Sequence, residues 1–467
     1  MGKDARNIIK PAEAAGFRDF IQRDWGPADR TPRLPDGNAK ASAAHRSRLS
    51  AALPGVRIAV AAGNAPVRSN TTDYGFRPDS DFVWLTGCQA EGAVLVMHPV
   101  PGGHDAELFL RPPKGPESPE FYANARDGEL WVGPAPGLLD WAAALDLPCR
   151  PVDELAGALR GPAAATVGVD PLLDALTSST YEQALTLRRT LAELKRVKDS
   201  WEQAQLRHAV DATVRGFADV VGDLPAAIDG GGERWLESTF HRRSRAEGNG
   251  PGYGTIVAAG PHAPVLHWTR CDGPVRPGDV LLMDAGVEAD TLYTADVTRT
   301  LPISGEFTPA QRQVYDLVHA AHLAAIEEVR PGRPFSSFFH AAMRVLAEGL
   351  HDWGMLPVSV EEALSPDGQH HRRYICCGVG HHVGLDVHDC GSLRPAAYQL
   401  DALAPGMALT VEPGLYFHPN DLTVPAELRG IGVRIEDDLL VTETGAEILS
   451  AALPMSASGI EEWMARI

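Results

Sequence analysis

Four acidic residues lie inside or at the end of short apolar runs: Val280-Leu-Leu-Met-Asp284-Ala-Gly, Thr294-Ala-Asp296-Val-Thr, Met407-Ala-Leu-Thr-Val-Glu412-Pro and Gly432-Val-Arg-Ile-Glu436-Asp. Such runs, short and edged by glycine or proline, read as buried β-strands. Burying one unpaired carboxylate is costly, and burying four near one another is worse. Two such charges ~4 Å apart repel by about 4 kcal/mol at an effective dielectric of ~20. A fold that buries these strands must bring cations to them, yet the runs themselves hold few lysines or arginines. The economical solution is a pair of divalent metal ions, whose combined charge balances the four acids, with a neutral imidazole from His381 as a further ligand.

Spacing refines this reading. Glu288-Ala-Asp290-Thr lies between Asp284 and Asp296 and is turn-prone. A hairpin closing near Asp290 makes the two aspartates direct cross-strand neighbours, with Cβ atoms ~5 Å apart, which suits shared ligation. Glu412 and Glu436 belong to two further strands separated by a long polar loop. Arg434, two residues before Glu436, shares its face in an extended strand and is placed to orient a ligating carboxylate by hydrogen bonding. The glycine-rich segment Gly378-Val-Gly-His381-His-Val-Gly-Leu-Asp-Val-His388-Asp allows close backbone approach. In it His381 reads as a ligand and His388 as a catalytic partner, while His382 points away from its neighbour. Any single acid of the set has an ordinary surface or turn explanation; four in apolar strands with a histidine do not. Oxygen-rich ligation with one imidazole favours Mn²⁺, Co²⁺ or Zn²⁺ over a cysteine-rich zinc site.

A chain of 467 residues is expected to form two or three domains. The net charge of -19 argues against nucleic acid or an anionic membrane as partner. No apolar run approaches the ~20 residues of a membrane span. The start, Met1-Gly-Lys-Asp-Ala-Arg6, lacks the apolar core of a signal peptide, and the six cysteines form no CxxC pair, so a reducing cytoplasm is the expected compartment. Residues 1–50 read as an N-terminal extension with one amphipathic segment near Ala12–Trp25. Residues 51–197 read as an α/β domain with short strand-like runs at Val56–Val60, Ala93–Met97, Glu107–Leu110 and Thr166–Val169. Residues 198–467 alternate helices with carboxylate-bearing strand pairs near 280–300 and 407–442, a coarse duplication. Long helices are expected at Tyr181–Val197, Ser200–Val221, Pro309–Val329 and Phe335–Trp353, with a short one at Ala457–Ile467. In the second, Leu206, Val210, Val214 and Phe217 form a core-facing stripe.

In this order, Asp284, Asp296, His381, Glu412 and Glu436 resemble the five-ligand dinuclear site of the pita-bread metallopeptidases. Gly-His-His-Val-Gly-Leu-Asp-Val-His-Asp, Thr-Val-Glu-Pro-Gly-Leu-Tyr and Arg-Gly-Ile-Gly-Val-Arg-Ile-Glu-Asp are similar to the Xaa-Pro aminopeptidase (aminopeptidase P) branch. Upstream, Arg77-Pro-Asp-Ser-Asp-Phe-Val-Trp-Leu-Thr-Gly87 looks like the N-terminal domain of that branch. The resemblance implies an α+β fold: a pita-bread (creatinase/aminopeptidase) catalytic domain of antiparallel sheets and flanking helices, preceded by a smaller α/β domain. It assigns Asp284 with the bridging Asp296 and Glu436 to one metal, and His381 and Glu412, with the same bridges, to the other. Two divalent ions per subunit follow, with Mn²⁺ the first expectation. It maps His267 and His388 to substrate and transition-state contacts, and Tyr416 and Trp131 to the pocket. The tryptophan would reach a neighbouring subunit's site, which makes a homo-oligomer, dimer or tetramer, the expected state. One position departs from the pattern: Cys377 stands where the branch usually has histidine, on the proline-binding side.

The implied reaction releases the N-terminal residue from peptides with proline second, by attack of a metal-bridging hydroxide. Glu412 would shuttle the proton to the leaving nitrogen, His388 would stabilise the oxyanion and His267 would position substrate. A prolidase, restricted to Xaa-Pro dipeptides, would use the same chemistry. A rival of another class is a non-catalytic pita-bread binding protein. A thiol nucleophile at Cys376 or Cys377 is a third reading, against which adjacent cysteines beside glycine read more simply as packing residues.

Overall fold

A computed structural model describes residues 14–70 and 72–467. Met1–Arg6 and the first two residues of the segment expected at Ala12–Trp25 lie outside the described residues; the remainder of that segment contains a helix at Ala15–Ile21. The chain divides into two compact units, Met1–Thr190 and Leu191–Ile467.

In the first unit, helix α1 (Asn38–Ala52) runs across the position where the extension was expected to end, and it buries Leu49 completely. The sheet consists of β1 (Ile58–Ala61), β2 (Val94–Val100), β3 (Gly103–Leu110), β4 (Cys149–Pro151) and β5 (Ala164–Ala165), in the order β4-β3-β2-β1-β5. Pairs β1–β2 and β2–β3 are antiparallel, whereas β1–β5 and β3–β4 are parallel. Ala59, Ala61, Val94, Val96 and Phe109 face a core closed by Leu155, Leu159 and Leu173. The strand expected at Thr166–Val169 lies instead at Ala164–Ala165; beyond it the chain turns, with Gly168 at φ +86° and its N–H held by Asp174. Asp170 then caps the next helix, Pro171–Leu176.

The second unit repeats one theme twice, a helix pair followed by antiparallel strands. In the first half, α2 (Ser200–Gly222) starts at a capping box in which Asp199 accepts from the Trp201 and Glu202 N–H groups. Its stripe of Leu206, Val210 and Phe217 is buried and Val214 half-buried. After α3 (Gly232–Glu247) come β6 (Gly250–Pro251), β7 (Ile256–Ala259), β8 (Val280–Ala285), β9 (Val287–Glu288) and β10 (Val297–Pro302). They form a sheet ordered β10-β8-β7 and a small ladder, β9-β6. In the second half, α4 (Pro309–Glu328), capped by Thr308 with proline at its first position, packs along α5 (Ser337–Asp352). Strands β11 (Ala408–Val411), β12 (Gly414–Tyr416), β13 (Gly432–Arg434), β14 (Asp437–Val441) and β15 (Ala446–Ile448) form a sheet ordered β11-β14-β15 and a ladder, β12-β13. A bridge between Thr298 and Glu436 joins the two halves. Every residue of β8, β10, β11, β13 and β14 is buried, so these strands are apolar along their length apart from the groups that need a partner.

The β8–β10 register differs from the expected one. Asp284 lies opposite Thr298, and Asp296 is its diagonal neighbour. The turn is centred at Thr291 rather than Asp290: the Leu292 N–H donates to Ala289 O at 2.8 Å, and Leu292 itself takes φ +69°. Moving the centre of a hairpin by one residue moves every partner by two, so the aspartates keep a common face but stand further apart than a direct pair.

Candidate metal centre

Thr298 sits at the middle of the centre. Across the ladder it faces Asp284, its carbonyl accepts the Glu436 N–H at 3.1 Å, and its hydroxyl donates to Glu436 Oε2 at 2.6 Å. The Asp296 N–H is held by Asp438 Oδ2 at 2.9 Å, so the backbone of one acid is fixed by the side chain of another. The histidine loop is stitched to β11: the Thr410 N–H donates to His381 O at 2.8 Å, the His381 N–H to Thr410 Oγ1 at 3.1 Å, and the Glu412 N–H to Val379 O at 3.0 Å. Gly380 allows this approach, since a Cβ there would lie 2.2 Å from Thr410 O.

These elements bring ligand atoms of Asp296, His381 and Glu436 within 4.8 Å of one another. His381 Nε2 is 3.3 Å from Asp296 Oδ2 and 3.7 Å from Glu412 Oε1. Its Nδ1 lies 3.0 Å from His382 O, which can only accept. Nδ1 therefore carries the proton in the neutral ring, which leaves the Nε2 lone pair for a cation held between it and the acids; without one, Nε2 is drawn to the Asp296 carboxylate only as a protonated donor. Asp284 is held from two sides, by the Tyr253 hydroxyl on Oδ1 at 2.6 Å and by Arg434 Nη2 on Oδ2 at 2.5 Å. Arg434 spends its other donors on Thr298 Oγ1 and Tyr416 OH, each at 3.0 Å.

Burial pushes the carboxyl groups of Asp284, Glu412 and Glu436 up, and repulsion among the neighbouring acids adds to it. Attraction to Arg434 opposes this in all three, and Glu412 stands at about 7. Burial works against a charged His381, but its hydrogen bond to Asp296 and the Asp296 and Glu412 charges prevail and hold the ring up at about 9. Four acids thus face one guanidinium and one imidazole. This shortage of positive charge, with oxygen donors around a single nitrogen, fits a divalent metal centre of the hard-to-borderline kind.

The other expected residues are placed as follows. His388 is exposed, its ring centroid 4.3 Å from that of His381 and nearly perpendicular to it. Burial of part of the ring, then the charges of His381 and His267, lower its proton affinity, with Asp296 opposing. His267 is exposed on the loop after β7, next to the buried Trp268. Tyr416 is buried, and its hydroxyl accepts from Arg434. Cys377 is half-buried and close enough to feel the Glu412 charge; burial pushes its thiol up to about 11, which disfavours a thiolate nucleophile. His382 is a core residue between Phe335 and Tyr398. Trp131 belongs to the first unit, on a four-residue helix, 60 % exposed beside exposed Leu130 and Val132.

Three participants were not expected: Tyr253, Thr298 and Asp438. Asp438 had a signal. It follows Glu436 by two in the same buried run, so strand periodicity puts it on the same face, while Asp437 points the other way to Arg299, at 2.7 Å. Tyr253, in Gly-Tyr-Gly, had none.

Two family profiles match the chain: "Metallopeptidase family M24" over residues 204–443 and "Aminopeptidase P, N-terminal domain" over residues 42–166. Xaa-Pro aminopeptidase 2 of Streptomyces coelicolor is 49 % identical over 471 residues, covering 100 % of this chain and 99 % of the relative. Among solved structures, Pseudomonas aeruginosa aminopeptidase PepP superposes with a TM-score of 0.81 at 31 % identity, covering 93 % of this chain and 99 % of the other. Aminopeptidase P from Escherichia coli with the inhibitor Pro-Leu gives a TM-score of 0.81 at 29 % identity, with coverage of 93 % and 99 %.

Proposed function

We propose that this chain, which belongs to metallopeptidase family M24 and is a metal-dependent hydrolase with the pita-bread fold, releases the N-terminal residue from peptides whose second residue is proline. The observation that carries the reading is the convergence of Asp296, His381 and Glu436 within 4.8 Å, with Glu412 3.7 Å from the same imidazole nitrogen. Asp284, Asp296 and Glu436 would hold one divalent ion; Asp296, His381, Glu412 and Glu436 the other. Bound there, the ions supply a water of lowered pKa as nucleophile at neutral pH.

The chain's own residues perform the rest. Glu412, whose carboxyl sits near neutrality in the absence of added charge, takes the proton of the nucleophile and delivers it to the leaving imino nitrogen. His388 turns its edge to the developing oxyanion as a hydrogen-bond donor. His267 fixes the peptide, and the buried Tyr416 closes one side of the pocket. Arg434 and Tyr253 hold Asp284 in a single orientation, which preorganises the place where the substrate's α-amine would bind. The proline side is less strictly carried over, since Cys377 offers a small thiol there. Mn²⁺ is the metal we propose, on the strength of the oxygen-rich donor set. All of these residues lie within 198–467, which we take as the catalytic domain, with 51–197 as the N-terminal domain and 1–50 as its extension. The exposed Leu130-Trp131-Val132 patch supports assembly into a dimer or tetramer. Six free cysteines support a cytoplasmic location, and among the described residues no helix is long and apolar enough to cross a membrane.

The test is hydrolysis of an Xaa-Pro dipeptide, an Xaa-Pro-Xaa tripeptide and longer peptides, with chelation and metal add-back. Release of the first residue from the longer peptides, lost on chelation and restored by Mn²⁺, is expected. Cleavage of the dipeptide alone would make the enzyme a prolidase.

A further inference from the structure

Glu233, on the first turn of α3, is fully buried and lies outside the acids of the centre. Its two oxygens accept four hydrogen bonds. Oε1 takes the Ala259 N–H and His262 Nδ1, each at 2.8 Å; Oε2 takes Trp268 Nε1 at 2.8 Å and the Gly273 N–H at 2.7 Å. The Glu233 N–H donates in return to Gly273 O at 2.9 Å. These partners are the last residue of β7 and three points along the loop that follows it. Gly273 is tailored to the arrangement, because a Cβ there would lie 2.4 Å from His262 and 2.9 Å from Glu233 Oε2. The His262 ring stacks on Trp268 at 3.7 Å, and Arg270 covers the same indole at 4.1 Å. One residue before that clamped indole stands His267.

We propose that Glu233 is a positioning residue of the active site, acting through Trp268 to hold the loop in the one conformation that presents His267 to the substrate. A carboxylate suits this task because it only accepts, so all four donors can converge on it at once. A neutral amide of the same shape cannot accept all four, since whichever way it turns its NH₂ faces an obligatory N–H donor, Ala259 on one side or Trp268 and Gly273 on the other. Buried networks of this kind specify a single arrangement when fully satisfied. The inference rests on the role proposed for His267, and its test separates the two.

Glu233→Gln, His267→Ala and the double variant are to be compared as full-length, metal-loaded proteins on an Xaa-Pro-Xaa peptide, together with metal content and amide exchange over residues 259–273. Glu233→Gln is expected to keep its metal and to lower kcat/KM about 10- to 100-fold, as small displacements of positioning groups do. In the His267→Ala background the same substitution should cost less than about twofold, because the group it positions is gone. Amide exchange at 265–269 should rise in Glu233→Gln whether or not the peptide is a substrate. An equal loss in both backgrounds, activity within about twofold of the parent, or unchanged exchange at 265–269 would each overturn the proposal. Failure of the parent to cleave the peptide, or an unimpaired His267→Ala, strikes the functional reading instead and leaves exchange to decide. Should Glu233→Gln not fold, Trp268→Phe removes one of the four donors, and the same cycle and exchange criterion decide.

Discussion

Stripping divalent metal from this protein should leave a fold whose stability falls as pH rises, the reverse of the metal-loaded form. Without metal, the Glu412 carboxyl is pushed up to about 7 from an ordinary 4.5, by burial first, then by the Asp296 and Asp284 charges working against His381 and Arg434. The folded state then binds a proton that the unfolded state has released, so stability declines between pH 4.5 and 7. A shift of that size corresponds to about 3 kcal/mol. His381 acts in the same direction. Burial opposes its charge, but Asp296 and Glu412 raise it from 6.5 to about 9. Its contribution is complete below pH 6.5 and disappears as pH rises through 9. The two groups interact, so their effects do not simply add, and about 3 kcal/mol is a conservative total from pH 5 to 9. At roughly 2–4 °C per kcal/mol for a unit of this size, the melting temperature should drop by about 6–12 °C.

Metal binding demands ionised carboxylates and a neutral imidazole, so affinity rises with pH, and the loaded protein gains stability over the lower part of the same range. Scanning calorimetry at five or six pH values, in chelator and in saturating Mn²⁺, should give curves of opposite slope below neutrality. Glu412→Gln should make the chelated curve shallower between pH 5 and 7, where the raised Asp284 and Glu436 carboxyls still contribute, while leaving the fall above pH 7. A chelated protein whose melting temperature is constant or climbs from pH 5 to 9 would refute the claim that these acids are buried together in need of a cation.

Asp296→Asn and Glu436→Gln should each abolish turnover and the binding of paired metals, checked by elemental analysis; near-full activity with two tightly held ions would remove the assignment. His388→Ala should fold and keep its metal while kcat falls by about 10²–10³, and unchanged steady-state kinetics would exclude His388 from the reaction. On the opposite face, Arg299→Met should cost about 3–5 kcal/mol in urea unfolding by stranding Asp437 without its guanidinium; a loss under about 1 kcal/mol would show that the pair is not a buried ion pair of consequence.

The acids of the centre were legible because each is a contradiction in its own segment. A carboxylate in Val280-Leu-Leu-Met-Asp284 has no local remedy, so its presence announces a distant one. The two-residue period of a strand could have carried this further, placing Asp438 with Glu436 and Asp437 behind them, where Arg299 meets it. The register of the Asp284 hairpin was not legible in the same way. It depends on Leu292 in a left-handed conformation, which no residue preference would assign to leucine. The helices fared better, since Asp199 with Glu202 and Thr308 with Pro309 mark their starts locally.

What remained hidden was the set of remedies. Glu233 looks like any glutamate on an amphipathic helix, and its partners at Ala259, His262, Trp268 and Gly273 are backbone N–H groups and rings that carry no unusual signal. Thr298, on a strand, and Tyr253, in the bend between β6 and β7, are ordinary residues until the fold sets their hydroxyls 2.6 Å from Glu436 and Asp284. A buried charge is written in one residue and its neighbours, whereas its compensation is spread over donors that every chain possesses. A reading of sequence therefore locates such a centre by its liabilities, and finds the groups that make those liabilities tolerable only once the strands are paired.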